Sequence, residues 1–152
     1  MLSLLEKVIL LKTVSFFSEV PEDVLVEIAS VLEELEIEAG ETIIKKGESG
    51  GSLYIIADGK VRVHDERRTI TILGESNVFG EFSILDANPR SASVTALEDT
   101  RLFRLDQDPF FELIDDHSTI ARRIMQVLVR YLRQAHNQAN TLLYRDENAA
   151  ND

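Results

Sequence analysis

One segment of the chain brings together residue types that suit the binding of a small anion. Phe79-Gly80-Glu81 is followed, eight residues past the glutamate, by Pro89-Arg90-Ser91-Ala92-Ser93. An arginine carries a planar fork of donors that can bind two oxygens of one phosphate. An ionised carboxylate only accepts hydrogen bonds, so Glu81 suits a sugar hydroxyl better than a phosphate. The segment therefore suits a ligand that carries both a hydroxyl and a phosphate.

The residues between Glu81 and Arg90, together with Gly80, predict the backbone conformation of the segment. Gly80 has no side chain, so the backbone can approach a ligand closely there. Phe82 to Leu85 are mostly apolar and contain no helix breaker, which predicts one helical turn, with free amides at its start directed at the anion. Pro89 ends that turn and places Arg90 in a defined position. Ser91 could add a further donor to the same phosphate.

The alternative interpretation of this segment is a surface turn between two strands. Glu81 and Arg90 would then form an exposed ion pair without a ligand. An isolated Glu and Arg at this spacing would favour the turn, but the whole string FGE…PRSAS favours a binding site.

This string resembles the phosphate-binding cassette of the cyclic nucleotide-binding domains. These domains occur in the regulatory regions of protein kinases A and G, in catabolite-activator-type regulators and in cyclic-nucleotide-gated channels. Leu53 to Ile56, followed by Gly59 to Val63, resembles the strand-turn-strand signature of the family. Phe16-Phe17 and Pro21 to Leu25 are similar to its helical lead-in. The resemblance covers about residues 11–133.

The resemblance implies a ligand, cyclic AMP or cyclic GMP, and a role for each site residue. Glu81 would bind the ribose 2′-hydroxyl, and Arg90 the cyclic phosphate. The phosphate and ribose set comprises Gly80, Glu81, Phe82, Ser83, Arg90, Ser91 and Ala92. The base set comprises Val63, Thr71, Leu73 and, as a candidate cap, Arg133, for which a solvated arginine at a helix edge is the alternative. Neither nucleotide is favoured over the other.

The chain departs from the family pattern just before the cassette. The family usually carries Gly-Asp shortly before its Phe-Gly-Glu, whereas this chain has Ser76-Asn77. Asparagine tolerates turn conformations, so we expect the turn to form.

Composition limits the classes of protein and partner. A length of 152 residues with 44% hydrophobic content predicts a single folded domain. The net charge of −11 predicts no nucleic acid partner, and binding of an anionic nucleotide then needs a local exception such as Arg90. The lack of cysteine excludes disulfides and thiol chemistry, which fits a cytoplasmic location.

The N-terminal segment predicts a short helix. Met1 to Leu11 is apolar but contains Glu6 and Lys7, and it is too short to span a bilayer, so we expect no direct membrane insertion. Ser3 and Glu6 have the spacing of a helix capping box. The chain could still be the cytosolic part of a larger, even membrane-bound, protein.

The remaining pattern predicts a mainly β fold with flanking helices. The resemblance specifies a β jelly-roll (double-stranded β-helix) with N-terminal helices and a C-terminal helical hinge or lid. The predicted organisation is a lead-in over residues 1–20, a binding domain over 21–143 and a polar tail over 144–152. Within the domain we expect a helix over 21–35, a β-roll over 37–105 and C-terminal helices over 109–143, in two segments (109–114 and 119–143).

The last predicted helix has an unusually wide apolar face. Its apolar residues cover an arc of about 200°, against roughly 100° for an ordinary amphipathic helix. Such a helix could cover a ligand, pair with a second copy or contact a fused effector domain. Only nine residues follow Leu143, so no helix-turn-helix is expected, and the chain would be either a stand-alone sensor or a sensor cut from a larger protein.

We therefore predict a regulatory sensor without catalytic activity that relays occupancy by repositioning its C-terminal helix. One alternative is a jelly-roll metalloenzyme, which needs clustered histidines. Only His64 lies in the strand region, and Asp115-Asp116-His117 fits a solvated helix cap better than a metal site. The other alternative is a ligand-free interaction domain of the same fold, which the joint presence of Glu81 and Arg90 disfavours.

Overall fold

The computed structural model describes residues 1–86 and 88–151, with side-chain surroundings described as far as Thr141. The N-terminal helix α1 spans Leu4–Thr13, and a 3-10 turn follows at Ser15–Phe17. The hydroxyl of Ser3 accepts a hydrogen bond from the Glu6 amide at 3.2 Å, which confirms the predicted helix cap. Ala87 of the cassette and Asp152 of the predicted tail lie outside the described residues.

The helix predicted over residues 21–35 is shorter than expected. Helix α2 spans Glu22–Val31, and the next residues form strand β1, Glu33–Ile37. The apolar spacing that ends in Leu35 fits either structure, but the strand pairs antiparallel with residues 100–104. That pairing places the acidic side chains of β1 beside Arg101 and Arg104, and tertiary contacts therefore override the helical pattern.

Within the described residues the chain forms two four-stranded antiparallel sheets, which confirms the mainly β prediction. The strand order is β1-β8-β3-β6 in one sheet and β2-β7-β4-β5 in the other. The remaining strands are β2 (Thr42–Ile44), β3 (Leu53–Asp58), β4 (Val61–Asp65), β5 (Arg68–Leu73), β6 (Val78–Phe79), β7 (Ser93–Ala96) and β8 (Thr100–Leu105).

Two apolar clusters form the core. The larger one joins the helices to the first sheet and contains Phe16, Phe17, Ile28, Phe103, Phe110 and Ile124 among others. The smaller one lies between the sheets and contains Ile44, Ile56, Val61, Phe79, Val94 and Leu102. The second cluster forms the wall on which the candidate site is built.

Three further helices complete the fold. Helix α3 spans Glu81–Leu85, α4 spans Gln107–Asp116 and α5 spans Ser118–Asn151. Helices are present in the C-terminal region, as predicted, but α4 is longer at both ends than the expected 109–114, and α5 continues through most of the segment that was expected to be a polar tail. Nowhere in the described chain is a helix both long and apolar enough to cross a bilayer.

Candidate functional site

A cleft opens where α3 meets the start of β7. Its volume is about 130 Å³, which is less than the roughly 300–1,000 Å³ of pockets that enclose a whole drug-sized ligand. The cleft is lined by Ile44, Val63, Phe79, Gly80, Phe82, Ser83, Arg90, Ser91, Ala92 and Val94. The two halves of the cassette, separate in sequence, thus meet across one small concave surface.

Gly80 is required at the first turn of α3 for two reasons. It is the N-cap residue and has φ +80°, a left-handed conformation that side chains disfavour. A Cβ atom there would also lie 2.6 Å from the Ser52 carbonyl oxygen and 2.8 Å from Nη1 of Arg90. The absence of a side chain is what allows the guanidinium to lie against the backbone.

Arg90 is buried, with only 9% of its surface exposed. Its backbone is held by the loop before β3, since its amide donates to the Glu48 carbonyl and its carbonyl accepts from the Gly47 amide, both at 2.9 Å. Nη2 donates to the Ser52 carbonyl at 2.9 Å. Nη1 is buried and has no hydrogen-bond partner within residues 1–86 and 88–141. A donor of this kind in a cleft wall suits an anionic acceptor.

Burial also affects the pKa of this arginine. Loss of hydration lowers the pKa of the Arg90 guanidinium, and its charge interaction with Tyr54 opposes that shift. Arginine nevertheless remains protonated in proteins. The cleft therefore presents a cation that is poorly compensated, which favours an anionic ligand.

Glu81 is half-buried at the first position of α3. Burial raises the pKa of its carboxyl group, and a hydrogen bond involving its own backbone amide opposes the rise. Among the described residues no ion pair joins Glu81 to Arg90, and Arg90 is not on the surface. The alternative of a surface turn with an exposed ion pair is therefore wrong.

The other predicted phosphate and ribose residues lie at the cleft. Phe82, Ser83, Ser91 and Ala92 all line it. The backbone amide of Ser83 already donates to the Gly80 carbonyl at 3.1 Å, so its hydroxyl is the donor left for a ligand.

The four predicted base residues are only partly brought together. Val63 lines the cleft, and Thr71 pairs with it across the β4–β5 ladder but is exposed. Leu73 packs against the core cluster between the sheets. Arg133 lies on α5 in a separate groove and does not line the cleft, so its role as a cap stays a prediction.

The C-terminal helix reaches the cassette through one aromatic contact. The rings of Phe82 and Tyr131 meet edge to face with centroids 6.4 Å apart. Tyr131 belongs to the apolar arc of α5 in sequence, but periodicity alone does not identify it as the residue that contacts the cassette. Sequence reasoning also missed Ile44, Phe79 and Val94 as apolar lining, because nothing in a strand pattern distinguishes lining from core.

The departure from the family pattern before the cassette leaves the turn intact. Ser76 adopts φ +69°, a conformation in which glycine would be less strained. The Asn77 side chain accepts from the Gly74 amide at 2.9 Å, and the Asn77 amide donates to the Gly74 carbonyl at 3.0 Å. Asparagine thus closes the turn with its own side chain.

The histidines weighed as metal ligands have other partners. Nε2 of His64 lies 2.8 Å from the Thr95 hydroxyl, and His117 pairs with Glu27 of α2. In the part of the chain that the structure describes, no group of three or more His, Cys, Asp or Glu side chains could hold a metal ion.

Comparison with known proteins agrees with this geometry. The family model described as "Cyclic nucleotide-binding domain" matches residues 34–117. The CRP-like cAMP-activated global transcriptional regulator of Mycobacterium tuberculosis is 31% identical over 142 residues, which cover 90% of this chain and 63% of the relative.

Two solved structures support the fold assignment. The catabolite activator protein of Thermus thermophilus is 32% identical with a TM-score of 0.72, over 84% of this chain and 62% of that one. The regulatory domain of Toxoplasma gondii PKA, crystallised with cAMP, is 28% identical with a TM-score of 0.69, over 76% of this chain and 46% of that one.

The chain spans less than two thirds of the length of each of these three relatives. The family match nevertheless covers more than half of this chain and contains the whole cassette. The chain therefore belongs to the family of proteins that carry a cyclic nucleotide-binding domain.

Proposed function

We propose that this domain is a regulatory sensor that binds cyclic AMP or cyclic GMP in the cleft and relays occupancy through α5. The observation that carries the proposal is the buried Arg90, which lines the cleft and whose Nη1 has no hydrogen-bond partner among the described residues. A cyclic phosphodiester carries one negative charge and two free oxygens, so it would satisfy both the unused donor and the buried charge.

The remaining site residues take complementary roles in this proposal. Glu81, once ionised, would accept from the ribose 2′-hydroxyl, as the family resemblance implies. The hydroxyls of Ser83 and Ser91 would supply further donors to the phosphate. Apolar Val63 and the strand behind it would contact one face of the base.

The size of the cleft explains why α5 would take part. A volume of about 130 Å³ is too small to enclose a whole nucleotide, so part of the ligand would lie outside the cleft. Tyr131 of α5 already contacts Phe82 of α3, at the edge of that cleft. A ligand that shifts α3 would therefore move the surface on which α5 rests. If the nucleotide binds more tightly when α5 is in one of two positions, binding shifts the population of molecules toward that position.

The binding step is tested by calorimetric titration of the purified domain with cAMP and cGMP, with 5′-AMP as the control. We expect saturable binding of at least one cyclic nucleotide and much weaker binding of 5′-AMP. If a sample gives no heat, we would unfold it deliberately and analyse the small molecules that it releases, because a nucleotide trapped during expression would already occupy the site. An empty, inactive cleft would contradict the proposal and favour a ligand-free domain of the same fold.

The relay step needs a separate measurement. Because the chain has no cysteine, one cysteine in place of exposed Arg67 and one in place of exposed Gln134 can each carry a spin label without side reactions. We expect the distance between the labels to change when nucleotide binds. An unchanged distance distribution at saturating nucleotide would contradict the relay while leaving the binding proposal in place.

A further inference from the structure

The two residues at the start of α4 contact both halves of the cassette. Asp106 is the N-cap of α4, and Gln107 is its first residue. The side-chain amide of Gln107 donates to the Ile84 carbonyl of α3 at 3.2 Å. The Asp106 carboxylate accepts from the Ser52 hydroxyl at 2.7 Å, and the Ser52 carbonyl accepts from Nη2 of Arg90. This short segment therefore holds α3 directly and the arginine through one intermediate residue.

The hydrogen bond from Gln107 reaches the end of α3, where the helix needs partners from outside. Helix α3 has only five residues, Glu81–Leu85, so the carbonyls of its last turn lack partners within the helix. Ile84 is 0% exposed, so water cannot take the place of the Gln107 amide at its carbonyl. A buried carbonyl that loses its partner costs free energy. Loss of the Gln107 donor would therefore favour a shift of α3 that brings the carbonyl to water.

The loop before β3 contacts both Gln107 and Arg90. A Cβ atom on Gly51 would lie 3.1 Å from Oε1 and 3.2 Å from Cβ of Gln107. A Cβ atom on Gly50 would lie 2.9 Å from Nε and from Nη2 of Arg90. The backbone of these two glycines thus packs against Gln107 at one residue and against the guanidinium at the next. The stem of Gln107 therefore supports the backbone on which the guanidinium lies.

We propose that Gln107 is a positioning residue for the nucleotide site, which holds α3 and Arg90 at the separation that one ligand can bridge. This role rests on the proposed function, because it concerns the same site. Helix α3 carries Glu81 and Ser83, which would contact the ribose and the phosphate. Gln107 is not among the residues that line the cleft, so it would act through α3 and the glycine loop.

A purely structural role for Gln107 predicts a different result. A hydrogen bond that only stabilises the fold changes the free energy of unfolding and leaves the affinity of the folded domain unchanged. Thr100→Val provides the matched control for that case. Thr100 is 4% exposed, its hydroxyl donates to the Glu98 carbonyl at 2.8 Å, and it is not among the residues that line the cleft.

The first measurement is titration calorimetry of the full chain with cAMP and cGMP. Gln107→Met keeps an unbranched stem beside Gly51 and removes the donor. We expect this variant to bind about three- to tenfold more weakly, a range that corresponds to one neutral hydrogen bond. Thr100→Val should unfold at lower urea concentration and keep the wild-type affinity. Wild-type affinity in Gln107→Met, or an equal loss of affinity in both variants, would overturn the proposal.

The second measurement needs no ligand, since amide hydrogen exchange followed by NMR reports the opening of α3 itself. The amides of Ser83 and Asp86 donate hydrogen bonds within the turn of α3 at 3.1 and 2.9 Å. Their protection should fall about three- to tenfold in Gln107→Met, whereas that of Phe103 in the central strand β8 should not change. Unchanged protection in α3, or an equal fall in α3 and β8, would contradict a positioning role.

The two measurements separate this inference from the proposed function. A wild type that binds neither nucleotide would contradict the proposed function, and the exchange of α3 would still decide whether Gln107 positions it. If Gln107→Met does not fold, the wild type decides. The side-chain amide protons of Gln107 should then exchange more slowly than those of the exposed Gln134, and equal exchange would overturn the proposal.

Discussion

Replacing Arg90 with methionine separates its contribution to the ligand from its contribution to the fold. Methionine keeps an unbranched apolar stem but removes the charge and all donors. In the ligand-free domain the substitution removes one hydrogen bond, from Nη2 to the Ser52 carbonyl, and it also removes a cation that is 9% exposed and lacks an ion-pair partner among the described residues.

The two effects on the free domain oppose each other. The lost hydrogen bond costs about 1 kcal/mol. Removal of a buried charge relieves a penalty that can amount to several kcal/mol for an ion without a partner. We therefore expect the free energy of unfolding of ligand-free Arg90→Met to be no more than about 1 kcal/mol below that of the wild type.

The substitution should weaken nucleotide binding, with no opposing contribution. A hydrogen bond to a charged group contributes about 1.5–3 kcal/mol, so the variant should bind cAMP or cGMP about 10- to 150-fold more weakly. Titration calorimetry measures this change directly. Urea unfolding measures it independently, because nucleotide at 100 times its dissociation constant should stabilise the wild type by about 2.7 kcal/mol and the variant by much less.

Arg101→Met provides the matched control. Arg101 is a half-buried arginine of β8 that pairs with Glu34 at 3.2 Å and does not line the cleft. This variant should lose some stability and keep its nucleotide affinity. An unchanged affinity in Arg90→Met would refute the assignment of the phosphate site, and a loss of more than about 3 kcal/mol without ligand would show that Arg90 is mainly structural.

Three further predictions follow from the cassette and its surroundings. Gly80→Ala should lower the free energy of unfolding by about 2 kcal/mol or more, as measured in urea, because of its positive φ and its close backbone contacts. Ser76→Gly should leave it unchanged or raise it by up to about 1 kcal/mol in the same assay, because relief of the φ of +69° (about 1–2 kcal/mol) offsets the loss of the hydrogen bond donated by the Thr13 hydroxyl at 2.8 Å (about 1 kcal/mol). A loss of more than about 1 kcal/mol would contradict the strain. Burial raises the pKa of Glu81, so its contribution to the free energy of unfolding should be present in acid and be lost as the pH rises through that pKa. Nucleotide affinity should improve over the same pH range, because the ionised carboxylate accepts the ribose hydroxyl. Glu81→Gln should abolish both trends, as measured by unfolding and by titration at a series of pH values.

The local chemistry of the site was predictable from sequence because it depends on residue type. Arginine and glutamate have fixed hydrogen-bonding roles, glycine allows close approach, and proline ends a helical turn. The cap at Ser3, the short helix after Gly80 and the mainly β character followed from the same local rules. They needed no knowledge of which parts of the chain meet.

Contacts between distant parts of the chain determined the features that could not be predicted from sequence. Leu35 continues the helical apolar spacing of α2, but residues 33–37 form a strand, since pairing with β8 satisfies their backbone and places their carboxylates beside arginines. Periodicity showed that α5 has a wide apolar face, but only the tertiary structure shows that Tyr131 meets Phe82 while Met125 and Val129 face a separate groove. Sequence spacing defines the face of a helix, whereas its partner depends on how distant elements pack against it.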